Sequence, residues 1–149
     1  MGFITNLFSM DFAALVPELS VFLKTARVLL ALALLAGPVC LLALGALYLF
    51  KPAPEANYRY GFRTYYGMGS IEAWQFSQKL AGLIFGALGA VLVVTMLIVI
   101  LCFIGKDLLQ VSKMSAICLL IQMIFILLAR LAVAILSAKY FDKDGSRRK

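Results

Sequence analysis

Three long apolar stretches dominate the chain and leave it few ways to fold: Ala26 to Phe50, interrupted in its middle by Gly37 and Pro38, Leu80 to Phe103, and Ala116 to Leu136, which contains Gln122 and Arg130. Each reaches the roughly 20 apolar residues that cross about 30 Å of hydrocarbon. Lipid offers no partner to a backbone N–H or C=O, so each stretch must satisfy its own backbone as a helix. Composition excludes the alternatives. Apolar residues make up 64% of the 149 and charged ones 14%, against about 25% charged in a soluble domain, and disorder needs a chain with little to bury.

Ahead of the first stretch, apolar residues recur at Phe3, Ile4, Leu7, Phe8, Phe12, Leu15, Val16, Leu19, Phe22 and Leu23, the three-and-four spacing of one helical face. This predicts an amphipathic interfacial helix over residues 1–25, bent or interrupted at Pro17. Lys24 and Arg27 follow the apolar face instead of preceding it, unlike a cleaved signal peptide. The expected fold is therefore an all-α membrane protein with three transmembrane helices after an interfacial helix: a membrane domain over 26–136 and a basic tail over 137–149, read as a solvated anchor.

The net charge of +7 comes mostly from Lys and Arg flanking the apolar stretches, where anionic headgroups and the positive-inside bias explain them without direct nucleic-acid binding. Four of these residues (Lys24, Arg27, Lys106, Lys113) lie on one side, while nine lie with the first loop and the tail. Positive-inside thus predicts a cytoplasmic first loop and C-terminus. The chain has no His, and Cys40, Cys102 and Cys118 sit in separate apolar stretches. Neither a metal centre, a disulfide framework nor a nucleophile-and-base pair has its parts, so no cofactor and no catalysis are expected.

Polar residues concentrate in one loop, 51–79. Pro52 and Pro54 end the first helix, Asn57, Tyr58, Arg59 and Tyr60 follow, and Gly61-Phe62-Arg63-Thr64 suggests a tight turn. Ser70 is placed to cap a helix starting at Ile71, with Glu72 favoured in its first turn. Arg63 and Glu72, nine residues apart across a glycine-rich turn, are expected to pair. Within the spans, Gly82, Gly86 and Ala90 form a small-xxx-small stripe for helix contact, with Ala33 and Gly37 as a matching surface on the first span. Arg130 is costly if it faces lipid, so Glu72 is its expected partner too. Trp74, Tyr65 and Tyr66 are read as walls of a groove above Arg63.

Asn57, Gly61-Phe62-Arg63-Thr64, Ser70, Glu72, Trp74 and Gln78, in this order before a span, resemble the signature of the SdpI-type bacterial immunity protein family. The resemblance implies a multi-pass protein of the bacterial inner membrane that protects its producer from a secreted toxic peptide, and that in the founding system also holds a transcriptional repressor at the membrane. It carries over Arg63, Thr64, Glu72 and Trp74 as functional positions, with Asn57, Arg59, Gly61 and Gln78 beside them as candidate binding residues. The founding member has a separate membrane half ahead of the motif, where this chain has one span and the N-terminal segment. The expected partners are the bilayer with a toxic peptide or a membrane-held regulator. An accessory role in a larger membrane complex, with other membrane subunits as partners, is the alternative.

Overall fold

A computed structural model describes residues 12–54, 56 and 60–148. Three helices follow one another: α1 over Phe12–Phe50, α2 over Ile71–Leu101 and α3 over Leu108–Tyr140. At 1.5 Å per residue the shortest, with 31 residues, is about 46 Å long, more than a hydrocarbon core requires. All three are long and apolar enough to cross a membrane. Their outer faces carry exposed Leu29, Leu32, Val91, Val94, Leu120 and Ile124. In water that would be an aggregating surface, whereas in lipid it is the ordinary one.

α1 differs from expectation in being continuous. It runs unbroken through Pro17 and across residue 25, so residues 12–25 and the first span share one helix; residues 1–11 lie outside the described residues. Pro38 is also inside the helix, and buried. Proline has no N–H, so the carbonyl four residues earlier, on Leu34, loses its helical donor. Gln122 of α3 supplies one: its Nε2 donates to Leu34 O at 3.0 Å, within a site where Gln122 is itself buried. The buried amide is thereby matched to the one backbone acceptor that the proline leaves open.

α1 and α2 pack along a glycine seam. A β-carbon at Gly45 would stand 2.3 Å from the Gly86 nitrogen, one at Gly82 would meet Leu49, and one at Gly89 would meet the Leu42 backbone. The contact stripe is therefore Gly82, Gly86 and Gly89, not Gly82, Gly86 and Ala90, because Ala90 is exposed. On α1 the matching surface is Leu42, Gly45 and Leu49. Ala33 is exposed, and Gly37 faces Gln122 instead. Around the seam lie two apolar clusters, one of Leu41, Tyr48, Phe62, Ala81, Phe85, Leu92, Ala129 and Val133, the other of Leu34, Met96, Phe103 and Val111. Beyond the second cluster, Arg27 Nη2 donates to the Lys106 carbonyl at 2.7 Å, fastening α1 to the α2–α3 turn.

The segment after α3 is not a free anchor. Phe141 is buried and packs on Phe76 with centroids 5.4 Å apart. The chain then turns at Gly145, with φ +74. Asp142 N donates to Ser146 O and Arg148 N to Tyr140 O, both at 2.9 Å, while Arg148 Nε reaches Asp142 Oδ1 at 2.6 Å. This small hairpin sits against Gly69 and Ser70, at the start of α2.

Candidate functional site

The 51–70 loop folds back onto the first turns of α2, and the sequence dictates how. Pro52 and Pro54 send the chain out extended, leaving the buried Ala53 with a carbonyl to satisfy. Trp74 Nε1 donates to it at 2.9 Å. Further on, Gly61 adopts φ +122, a conformation that L side chains rarely adopt. Its missing side chain also makes room for the indole, since a β-carbon there would stand 2.6 Å from Trp74 Cζ2.

Gln78 then clamps the loop. The Phe62 N–H donates to Gln78 Oε1, and Gln78 Nε2 donates to Phe62 O, each at 2.9 Å and buried. One side-chain amide thus satisfies both backbone groups of a residue that has no regular secondary structure to do so. Phe62 itself drops into the core, edge-on to Phe85 at 5.3 Å. Thr64 Oγ1 accepts from Gly67 N at 2.9 Å, closing a hydroxyl turn. Ser70 caps α2 by accepting from Ala73 N at 3.1 Å, and donates to Gly145 O at 2.7 Å, joining loop and tail. Ser77 Oγ donates to Ala73 O at 2.8 Å and lies 3.1 Å from Ser137 Oγ. With its single hydrogen on Ala73, Ser77 accepts from Ser137, linking α2 to α3.

Several expectations are corrected here. Trp74 and Gln78 are fully buried and Thr64 nearly so, so Trp74 walls no groove: the indole is inside the fold, held by Ala53. Tyr65 and Tyr66 do form a pair, edge-on with centroids 5.5 Å apart, and Tyr65 is exposed. Glu72 lies 3.9 Å from Arg147 of the tail, both about two-thirds exposed, and it is this tail arginine that takes the place expected for Arg63 or Arg130. A pair so long and so hydrated contributes little. Asn57 and Arg59 lie outside the described residues.

Arg63 and Arg130 converge elsewhere. Both line a cleft of about 360 Å³ whose other walls are Leu41, Leu44 and Tyr48 of α1, Phe85 of α2, Ile126 of α3, and Gly61 and Phe62 of the loop. Arg63 and Arg130 are both on the exposed side of this cleft. A second hollow is lined by Glu72, Gln75, Phe76, Lys79, Phe141 and Arg147. Sequence reasoning missed Ser77, Ser137 and Phe141. For the tail a signal was present, since Asp144-Gly145 is a turn dipeptide.

A family model described as the SdpI/YfhL protein family matches residues 55–138, more than half of the chain, beginning just after α1. No curated protein and no solved structure matches the chain.

Proposed function

We propose, for a chain that belongs to the SdpI/YfhL protein family, that this membrane protein protects its host against a toxic peptide, capturing it beside the Arg63 loop. One observation carries the reading. Gly61, Phe62, Ser70, Trp74 and Gln78 fix the loop on α2 and Thr64 closes its turn, and what the fixed loop presents outward is Arg63, with exposed Tyr65 two residues on. A signature built this way holds one cation at a set place over an apolar surface. An amphipathic peptide with an acidic group has the complementary chemistry. Pre-ordering the loop lowers the entropy lost on capture.

Orientation bears on how the peptide arrives. The loop and the tail are docked on each other, and the first loop and tail carry the larger share of Lys and Arg, so we place both in the cytoplasm. Capture then occurs from within the bilayer, and a membrane-held regulator would meet the same loop from the cytoplasmic side. Cells expressing the chain should survive secreted membrane-active peptides that kill cells lacking it, and Arg63→Ala should remove that survival at unchanged protein level. Affinity capture of both versions from mildly solubilised membranes should show a small peptide or a regulator lost with the arginine. Equal protection and equal retention by both would overturn the reading. A Cys introduced at Ser146 should resist an impermeant thiol reagent in intact cells; its labelling would reverse the orientation.

A further inference from the structure

The cleft between Arg63 and Arg130 has a chemistry of its own that does not depend on the protective role. Its floor is apolar, made by Leu41, Leu44, Phe85 and Ile126, and no carboxylate is among the described residues that line it. Arg130 makes no ion pair among the described residues. Glu72, the acid expected for it, is placed beside Arg147 in the other hollow.

Depth sharpens the question. α3 has 33 residues, about 50 Å, and so extends roughly 10 Å beyond each edge of a centred 30 Å hydrocarbon layer. Arg130 lies ten residues before the end of α3 at Tyr140, which puts its backbone about 5 Å inside the hydrocarbon edge. Helical side chains lean toward the N-terminus, and Ile126, one turn earlier, shares the cleft with it. Arg130 thus sits at a level where an unpartnered cation is expensive.

We infer that this cleft binds an anionic phospholipid, its phosphate between the Arg63 and Arg130 guanidiniums and an acyl chain along Leu41, Leu44 and Phe85. Charge complementarity selects the occupant: two guanidiniums lining one cleft suit a phosphate, above an apolar floor that suits a hydrocarbon chain. A phosphate here satisfies Arg130 without a protein carboxylate, and the Gln78-clamped loop brings in the second arginine.

Native mass spectrometry of the full chain in mild detergent, titrated with phosphatidylglycerol or phosphatidylcholine, tests this. Wild type should retain phosphatidylglycerol in preference to phosphatidylcholine. Arg63→Gln and Arg130→Gln should each weaken the first phosphatidylglycerol at least about tenfold, the loss of a charge-assisted contact, while Lys139→Gln should not. Leu44→Trp, which fills the floor and leaves both charges, should weaken it as well and covers the case in which an arginine variant fails to fold. Unchanged retention in all three cleft variants would overturn the inference. So would inorganic phosphate competing at equal concentration, which would make the ligand a free anion.

Discussion

Replacing Gln122 by Leu should destabilise the bundle, and replacing Pro38 as well should remove most of that effect. The reason lies in a single carbonyl. Leu34 O has lost its helical donor to Pro38 and is satisfied by Gln122 Nε2 at 3.0 Å; Gln122→Leu leaves it buried and unpaired. An unsatisfied buried acceptor costs about 1–3 kcal/mol, whereas interhelical hydrogen bonds measured within membranes average about 0.6 and reach about 1.7 kcal/mol. The Leu34 carbonyl is enclosed between two helices, with Leu34 fully buried, so a value near the upper membrane figure, about 1.5 kcal/mol, is expected. In a Pro38→Ala background, the introduced alanine supplies an N–H to Leu34 O within α1. Gln122→Leu should then cost under about 0.5 kcal/mol, a coupling of about 1 kcal/mol across the cycle. Reversible unfolding of the four proteins in mixed micelles, followed by helical circular dichroism, measures it. Equal costs of Gln122→Leu with and without Pro38 would refute the pairing of amide with proline-freed carbonyl.

Gly61→Ala should displace the indole it adjoins, since a β-carbon would overlap Trp74 and the backbone holds φ +122; a destabilisation of about 1–3 kcal/mol is expected. Trp74 is the only tryptophan, so a red-shifted emission reports the displacement, and unchanged emission would contradict it. Gly145→Val should detach the tail, because its β-carbon would fall 2.4 Å from the Ser70 nitrogen; faster proteolysis after residue 141 with α2 and α3 intact is the expected sign. Glu72→Gln should shift stability by less than about 1 kcal/mol, as befits an exposed pair at 3.9 Å. A larger loss would mean that Glu72 has a stronger partner than Arg147.

What could be read in advance was whatever depends on neighbours along the chain. Long apolar runs gave three spans, and Ser70 capping a helix from Ile71 follows from a local rule. The direction in which Trp74 faces did not follow. An aromatic near an interface fits either a lipid belt or a buried anchor, and the choice rests on Ala53, 21 residues away. The register of α1 against α2 decides between Gly89 and Ala90, and no periodicity within one helix contains it. How the helix accommodates Pro38 was hidden for a related reason. At Pro38 the compensating donor is 88 residues distant from the carbonyl it serves.

The tail hairpin bears on the order of events during synthesis. The motif loop emerges early, yet Ser77 waits for Ser137, 60 residues later, and Ser70 for Gly145, 75 residues later. Until α3 has been inserted and residues 141–148 have been translated, the loop lacks its docking surface on that side. A nascent or truncated chain can hold two spans in the bilayer without holding Arg63 in its final place. Maturation of the loop is thus coupled to synthesis of residues 141–148, and a bulky group introduced close behind residue 148 would disturb the loop although it lies far from it in sequence.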